Sequence, residues 1–157
     1  MRKRIVPLTL LETSSGSDQG WLNLSGIATV EVTSEQDGFA IESVFASDTS
    51  RGWRASRAGA QVVRIVFDEP VAVGRIRMRF DESQSQRTQQ FTLNWHPATG
   101  GCREIVRQQW NFSPQGSTSE FEDYQVDLDG VSVLELALKP DLTPNNAFAT
   151  LAAWRVS

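Results

Sequence analysis

Strict alternation of apolar and polar side chains constrains the fold of this chain more than any other feature of its sequence. Residues 75–80 place isoleucine, methionine and phenylalanine on one face and three arginines on the other. Residues 61–67 and 91–95 follow the same period of two, which is typical of strands with one buried face. No segment keeps an apolar stripe at helical spacing over three turns, so the sequence predicts an all-β protein.

Further strands are predicted at residues 27–32, 104–110, 124–128, 133–138 and 149–156. About eight strands separated by turns rich in Gly, Pro, Ser and Asp predict a sandwich or a barrel. The 157 residues suit one domain. We expect this domain to span residues 27–157, and the preceding residues 1–26 to be partly mobile or to pack on the sandwich.

Charge and cysteine content restrict the partners and the compartment. The formal net charge is −4 and the sequence pI is about 5.0, which disfavours a nucleic-acid partner. Cys102 is the only cysteine, so an internal disulfide and a zinc site made of several thiolates are excluded. No apolar run approaches the roughly 20 residues of a membrane span, and Pro7 breaks the short apolar stretch near the start. We therefore expect a cytoplasmic protein without a membrane span.

Side chains suited to catalysis are few. His96 is the only histidine, and its position beside Trp95 predicts a solvated residue at the start of a turn. Glu120, Glu122 and Asp123 offer carboxylates for glycoside hydrolysis, but we place them in a loop as solvated charges, where nothing apolar would raise a pKa. Nucleotide-binding glycine loops and nucleophile elbows do not occur in the sequence. The sequence therefore predicts a protein that is not an enzyme and has no catalytic residues.

Residues 51–57 combine three arginines with a tryptophan in a predicted loop. Guanidinium groups bind carboxylates, phosphates or sugar hydroxyls, and an aromatic face stacks on a sugar or a base. Trp53 taken alone is better explained as a core residue, because large aromatic side chains are usually buried. Arg54 and Arg57 fit a binding role and a solvated rim equally well. The arginines of residues 75–80 are expected to pair with carboxylates on a neighbouring strand.

The order of these elements is informative. Residues 45–55 run through Ser, Asp and Gly to a tryptophan, the strands 61–67 and 75–80 follow across a Pro-containing turn, and residues 151–156 form a closing strand. In this the chain resembles the discoidin-like, or coagulation-factor C-type, domains of the galactose-binding-like superfamily. The resemblance covers residues 31–157. It implies an eight-stranded antiparallel jelly-roll sandwich that binds sugars, phospholipid head groups or proteins through loops at one end.

The resemblance also implies where a ligand would bind. By position, the matching loops are residues 34–39, 54–59 and 83–87, and the hairpin that carries His96 would lie at the opposite end. The ligand-binding residues implied in this way are Phe39, Trp53, Arg54, Arg57, Gln86 and Arg87.

Calcium is the cofactor that such domains often hold, through an aspartate in the loop before the tryptophan. Ala46 stands at the matching position here and Asp48 is the nearest carboxylate, so we expect no metal and no other cofactor. We predict a non-catalytic module, similar to bacterial or intracellular relatives, that recognises carbohydrate. The alternative is an intracellular protein-interaction or scaffold domain, which an exposed apolar patch around Phe112 and Phe121 would support.

Overall fold

The computed structural model describes residues 20–46, 51–143 and 146–157. These residues form eight strands: β1 (Ala28–Val32), β2 (Trp53–Ala58), β3 (Gln61–Asp81), β4 (Arg87–Pro97), β5 (Arg103–Phe112), β6 (Ser119–Lys139), β7 (Phe148–Leu151) and β8 (Ala153–Val156). Two short 3-10 helices cover Leu24–Gly26 and Ile41–Phe45. Within the described ranges no helix is long and apolar enough to cross a membrane.

All strand pairs are antiparallel, and two long bent strands divide the main sheet into two layers. Its order is β1-β3-β6-β4-β5, with β8 also paired to β3, while β2 and β7 form a separate pair. The first half of β3 pairs with β1 and its second half pairs with β8. Between Val66 and Arg75 the register of β3 against β6 shifts repeatedly, which marks the bend. The all-β class predicted from the alternation and the antiparallel sandwich implied by the resemblance are thus confirmed.

The core lies between the two layers. Residues of opposite layers meet there, and the rings of Phe80 on β3 and Phe91 on β4 stack with centroids 5.3 Å apart. Trp53, Trp154 and Phe112 are also almost completely buried. Each large apolar side chain removed from water contributes about 1.5–3 kcal/mol, so this cluster is the main source of stability.

Individual strands differ from the predicted ones. Residues 61–67 and 75–80 are halves of one strand, as are 124–128 and 133–138, because the chain bends at Pro70 and Gly130 without leaving the ladder. Gly130 has a φ of +67°, a conformation that glycine adopts at low cost. Residues 54–58, predicted as part of a loop, belong to β2, since Trp53 and Ala55 alternate into the core.

The strand pairs show which connections share an end of the sandwich. Arg87 pairs with Phe112, and Asp81 pairs with Ser119, so the connections β3–β4 and β5–β6 lie at one end. The β4–β5 hairpin lies at the other end, where the Ala98 amide donates to the Gly130 carbonyl. Residues 20–26 pack on the sandwich, and the Leu22 amide donates to the Val156 carbonyl at 2.8 Å. The prediction for residues 1–19 lies outside the described residues.

Candidate functional site

A pocket of about 180 Å³ opens at the end of the sandwich that carries the β3–β4 connection. Three parts of the sequence line it, namely the segment before and at the start of β2, the β3–β4 connection, and the link from β7 to β8. The lining residues are Phe39, Arg51, Trp53, Arg54, Asp81, Glu82, Ser83, Gln84, Thr150, Leu151 and Ala152.

The first wall is held to β2 by backbone hydrogen bonds. The Gln36 amide donates to the Arg54 carbonyl at 2.8 Å, and the Arg54 amide donates to the Phe39 carbonyl at 3.4 Å. Beneath them Trp53 is 1% exposed, and its indole Nε1 donates to the Ser34 carbonyl at 2.9 Å. The core interpretation of Trp53 is therefore confirmed, although the residue also lines the pocket.

The opposite wall is the β3–β4 connection. Glu82 shapes it, because its Oε2 accepts hydrogen bonds from the amides of Gln84 at 3.1 Å and Ser85 at 3.3 Å. Thr150 ties this wall to β7, since its hydroxyl donates to the Asp81 carbonyl at 3.1 Å. Both walls are thus fixed by hydrogen bonds within the chain, which preorganises the pocket for a ligand.

Arg87 supports this wall from inside the protein. It is the first residue of β4 and only 3% exposed, so its predicted place on a binding loop is wrong. Its guanidinium donates to Glu82 at 2.8 Å, to the Pro140 carbonyl at 2.8 Å, and to Gln89 and Thr150 at 3.1 Å each. Burial alone would raise the pKa of Glu82, but Arg87 and the two amides outweigh it and hold that pKa below its usual value.

The charges of the pocket are unevenly compensated. The carboxylate of Asp81 lies 3.3 Å from Arg79 Nε, and that of Glu82 lies 2.8 Å from Arg87 Nε. Among the residues that the structure describes, no carboxylate forms an ion pair with Arg51 or Arg54. These two contact aromatic rings, with guanidinium carbons 4.5 Å from the Phe39 centroid and 5.4 Å from the Phe148 centroid. Within the described part of the chain, these two positive charges therefore have no carboxylate paired with them, while the pocket carboxylates Asp81 and Glu82 are paired with other arginines.

The structure gathers half of the predicted binding residues. Phe39, Trp53 and Arg54 line the pocket, whereas Arg57, Gln86 and Arg87 do not. Arg57 is exposed on β2 and donates to the Thr33 carbonyl at 2.9 Å, and Gln86 is exposed beside the pocket wall. Whether any of them touches a ligand stays a prediction. Sequence reasoning missed a role for Asp81, Glu82 and Thr150, because nothing along the chain shows that these positions meet Arg54.

Glu120 overturns one expectation. It lies on β6, not in a loop, and its side chain is completely buried beside Gln89, whose amide donates to it at 3.2 Å. Burial, followed by the negative charge of nearby Glu122, raises the pKa of Glu120 to about 9. Since no part of Glu120 reaches the surface, it cannot act on a substrate despite its raised pKa.

The structure also shows the contacts and the exposure of other residues that the sequence analysis named. Arg75 and Arg77 both pair with Asp123 of the neighbouring strand β6, as predicted, at 2.7 and 3.5 Å. Arg79 instead lies 3.3 Å from Asp81 of its own strand, so the prediction is wrong for this residue. Phe112 is buried and Phe121 is 62% exposed, so the two do not form one surface patch. Asp48 lies outside the described residues, and the expectation about calcium stays a prediction.

Gly52 determines how closely β2 approaches the β7–β8 link at the pocket. Its φ is +78°, and a Cβ there would lie 2.8 Å from the Leu151 carbonyl oxygen and 3.1 Å from the Ala152 Cα. Gly59 has a φ of +91° with nothing within 4 Å of such a Cβ. Gly52→Ala should therefore lower the free energy of unfolding by about 1–3 kcal/mol more than Gly59→Ala does, as measured by urea unfolding. Equal losses would show that the link moves aside without strain.

Comparison with known proteins shows which solved structures share this fold. No protein-family model matches the sequence, and no curated protein matches it. Solved structures do match, among them the family 32 carbohydrate-binding module of C. perfringens NanJ in complex with galactose, with a TM-score of 0.61 and 13% identity over 82% of this chain and 92% of that one. The family 32 module of AlyQ, in complex with 4,5-unsaturated mannuronic acid, matches with a TM-score of 0.60 and 11% identity over 83% and 95% of the two chains.

The fold is that of the family 32 carbohydrate-binding modules. The family 32 fold is galactose-binding-like and is shared with discoidin domains, so this coarser part of the resemblance is confirmed, while membership of the discoidin-like group stays a prediction. The family 32 fold also occurs inside enzyme chains. A Ruminococcus gnavus family 29 fucosidase in complex with fucose matches with a TM-score of 0.57 and 9% identity, over 82% of this chain and 25% of that one.

Proposed function

We propose that this chain is a non-catalytic module that binds an acidic carbohydrate in the pocket lined by Arg51 and Arg54. The observation that carries the proposal is that no carboxylate of the described residues pairs with these two arginines, while the pocket carboxylates already have partners. A sugar carboxylate matches a guanidinium in geometry and charge, and the remaining sugar hydroxyls match Ser83, Gln84 and Thr150. The structural neighbours that are complexes with galactose or an unsaturated mannuronic acid support a sugar ligand.

The acid groups of the pocket support binding over catalysis. Glycoside hydrolysis needs one carboxylic acid with a raised pKa beside the sugar bond. The pKa of Glu82 is lowered instead, by Arg87 and two amides that outweigh its burial. Asp81 is engaged by Arg79 and by the Ser119 hydroxyl at 2.9 Å. The pocket therefore lacks a poised acid among its described residues.

The test compares polygalacturonate with its fully methyl-esterified form, in which each carboxylate is replaced by an uncharged methyl ester. We expect the acidic form to bind in isothermal titration calorimetry and the ester to bind much more weakly. Hydrogen bonds to charged groups contribute about 1.5–3 kcal/mol each, so Arg51→Met with Arg54→Met should weaken binding by roughly a hundredfold or more. Alginate, rich in mannuronate, serves as a second acidic probe.

The matched control is Arg103→Met with Arg107→Met, which removes the same charge from exposed positions on β5, outside the pocket. This control should bind like the unaltered protein. Equal loss in both double variants would reduce the effect to long-range attraction by net charge. Equal binding of the acid and its ester would refute the acidic ligand, and a blank result with a wider set of neutral and acidic glycans would favour the protein-interaction alternative.

A further inference from the structure

Three side chains with metal-binding atoms meet on the main sheet, at the end away from the pocket. They are His96 on β4, Cys102 in the β4–β5 hairpin and Glu135 on β6, and their ligand atoms all lie within 4.8 Å of one another. Glu135 pairs with Asn94 across the two strands, and His96 follows Asn94 by two residues on the same face of β4. The fold therefore brings together three residues that are up to 39 positions apart.

His96 has an unusual environment for a residue predicted to be solvated at a turn. It belongs to β4 and is half-buried, and its Nε2 is buried without a hydrogen-bond partner among the described residues. Buried polar atoms nearly always have a partner, so such an exception indicates strain, an ordered water or a ligand. A metal ion would satisfy an imidazole nitrogen in this position.

Hydrogen bonds from neighbouring side chains fix the orientation of the Glu135 carboxylate. Its Oε2 accepts a hydrogen bond from Arg64 Nε at 2.7 Å, and its Oε1 lies 3.4 Å from the Asn94 amide. Arg64 also lies 3.8 Å from Glu31, which offsets part of its positive charge. Hydrogen bonds of this kind orient carboxylates that bind metals. The carboxylate keeps free lone pairs for a cation.

We propose that His96, Cys102 and Glu135 bind one zinc-type divalent cation, with water completing the coordination. Thiolate and imidazole together favour zinc over magnesium or calcium, and the thiolate and carboxylate balance its two charges. Tetrahedral zinc places its ligand atoms roughly 3.3–3.8 Å apart. The three ligand atoms lie within 4.8 Å of one another, so the proposal requires a rotation of the exposed Cys102 side chain to bring the sulfur to that distance.

The experiment uses Co²⁺ and Zn²⁺ with the full chain under reducing conditions. Cobalt bound to a thiolate gives an ultraviolet charge-transfer band, which reports Cys102 directly. We expect one equivalent of Co²⁺ to produce this band, Zn²⁺ to displace it, and Zn²⁺ to raise the melting temperature. Cys102→Ser should abolish the band and weaken Zn²⁺ binding at least tenfold, and His96→Gln should weaken it similarly.

Glu104→Gln removes a carboxylate near Cys102 on the same hairpin and serves as the matched control. It should leave the band and the affinity unchanged. Cys102→Ser alters an exposed side chain, so its melting temperature without metal should equal that of the unaltered protein. Binding of Co²⁺ without the band, or Zn²⁺ affinity unchanged in Cys102→Ser, would overturn the proposed site.

Discussion

Replacing Arg87 with methionine should lower the free energy of unfolding by about 3–5 kcal/mol, because it leaves a nearly buried carboxylate without its cation. The side chains of Arg87 and Glu82 are only 1% and 10% exposed, so water cannot take over the interaction. Hydrogen bonds to the Pro140 carbonyl and to Thr150 are lost at the same time. Thermal denaturation should show a melting temperature lower by on the order of 10 °C.

Arg107→Met is the matched control, since Arg107 pairs with Glu104 at the surface, with side chains 56% and 49% exposed. Loss of this surface ion pair should change the free energy of unfolding by no more than about 1 kcal/mol. Adding Glu82→Gln to Arg87→Met should recover part of the loss, because the unpaired charge disappears. A change below about 1 kcal/mol in Arg87→Met alone would contradict the role assigned to this ion pair.

Stability should fall as the pH rises from about 5 towards 9, because Glu120 keeps its proton in the folded state. Its pKa rises from the ordinary value of 4.5 to about 9, through burial first and the charge of Glu122 second. In this window the folded chain holds a proton that the unfolded chain releases, so the free energy of unfolding decreases with pH. The slope reaches at most about 1.4 kcal/mol per pH unit for one group.

Glu120→Gln tests this directly, since a glutamine there stays neutral and its carbonyl still accepts from Gln89. We expect the variant to be more stable than the unaltered protein at about pH 8 and to lose most of the slope in urea titrations across this range. Glu69→Gln, at an exposed position in the bend of β3, should leave the slope unchanged. A slope that persists in Glu120→Gln would assign it to other groups.

The fold was predictable because burial of one face imposes a period of two on each strand. That pattern located the two halves of β3 and residues 91–95 of β4. It did not show that β3 continues through Pro70, since a proline in an apolar pattern normally indicates a turn. β2 was missed because only Trp53 and Ala55 alternate into the core before the strand becomes exposed.

The site was less predictable because its buried charged residues form hydrogen bonds with residues that are distant in sequence. Arg87 stands in a polar stretch, and only Pro140 and Thr150 explain why it can be buried. Glu120 likewise depends on Gln89 across the sandwich. The sequence argument against zinc considered sites with several thiolates, and Glu135 joins His96 and Cys102 only through the pairing of β4 with β6.

The bent strands β3 and β6 couple the unfolding of the two layers. Each contributes to both layers, so neither layer retains its strands once the other has opened. The chain is therefore a single cooperative unit, in which local opening of either end draws on the same two strands. A sugar held between loops at one end would, through this linkage, slow proteolytic cleavage at the distant hairpin as well.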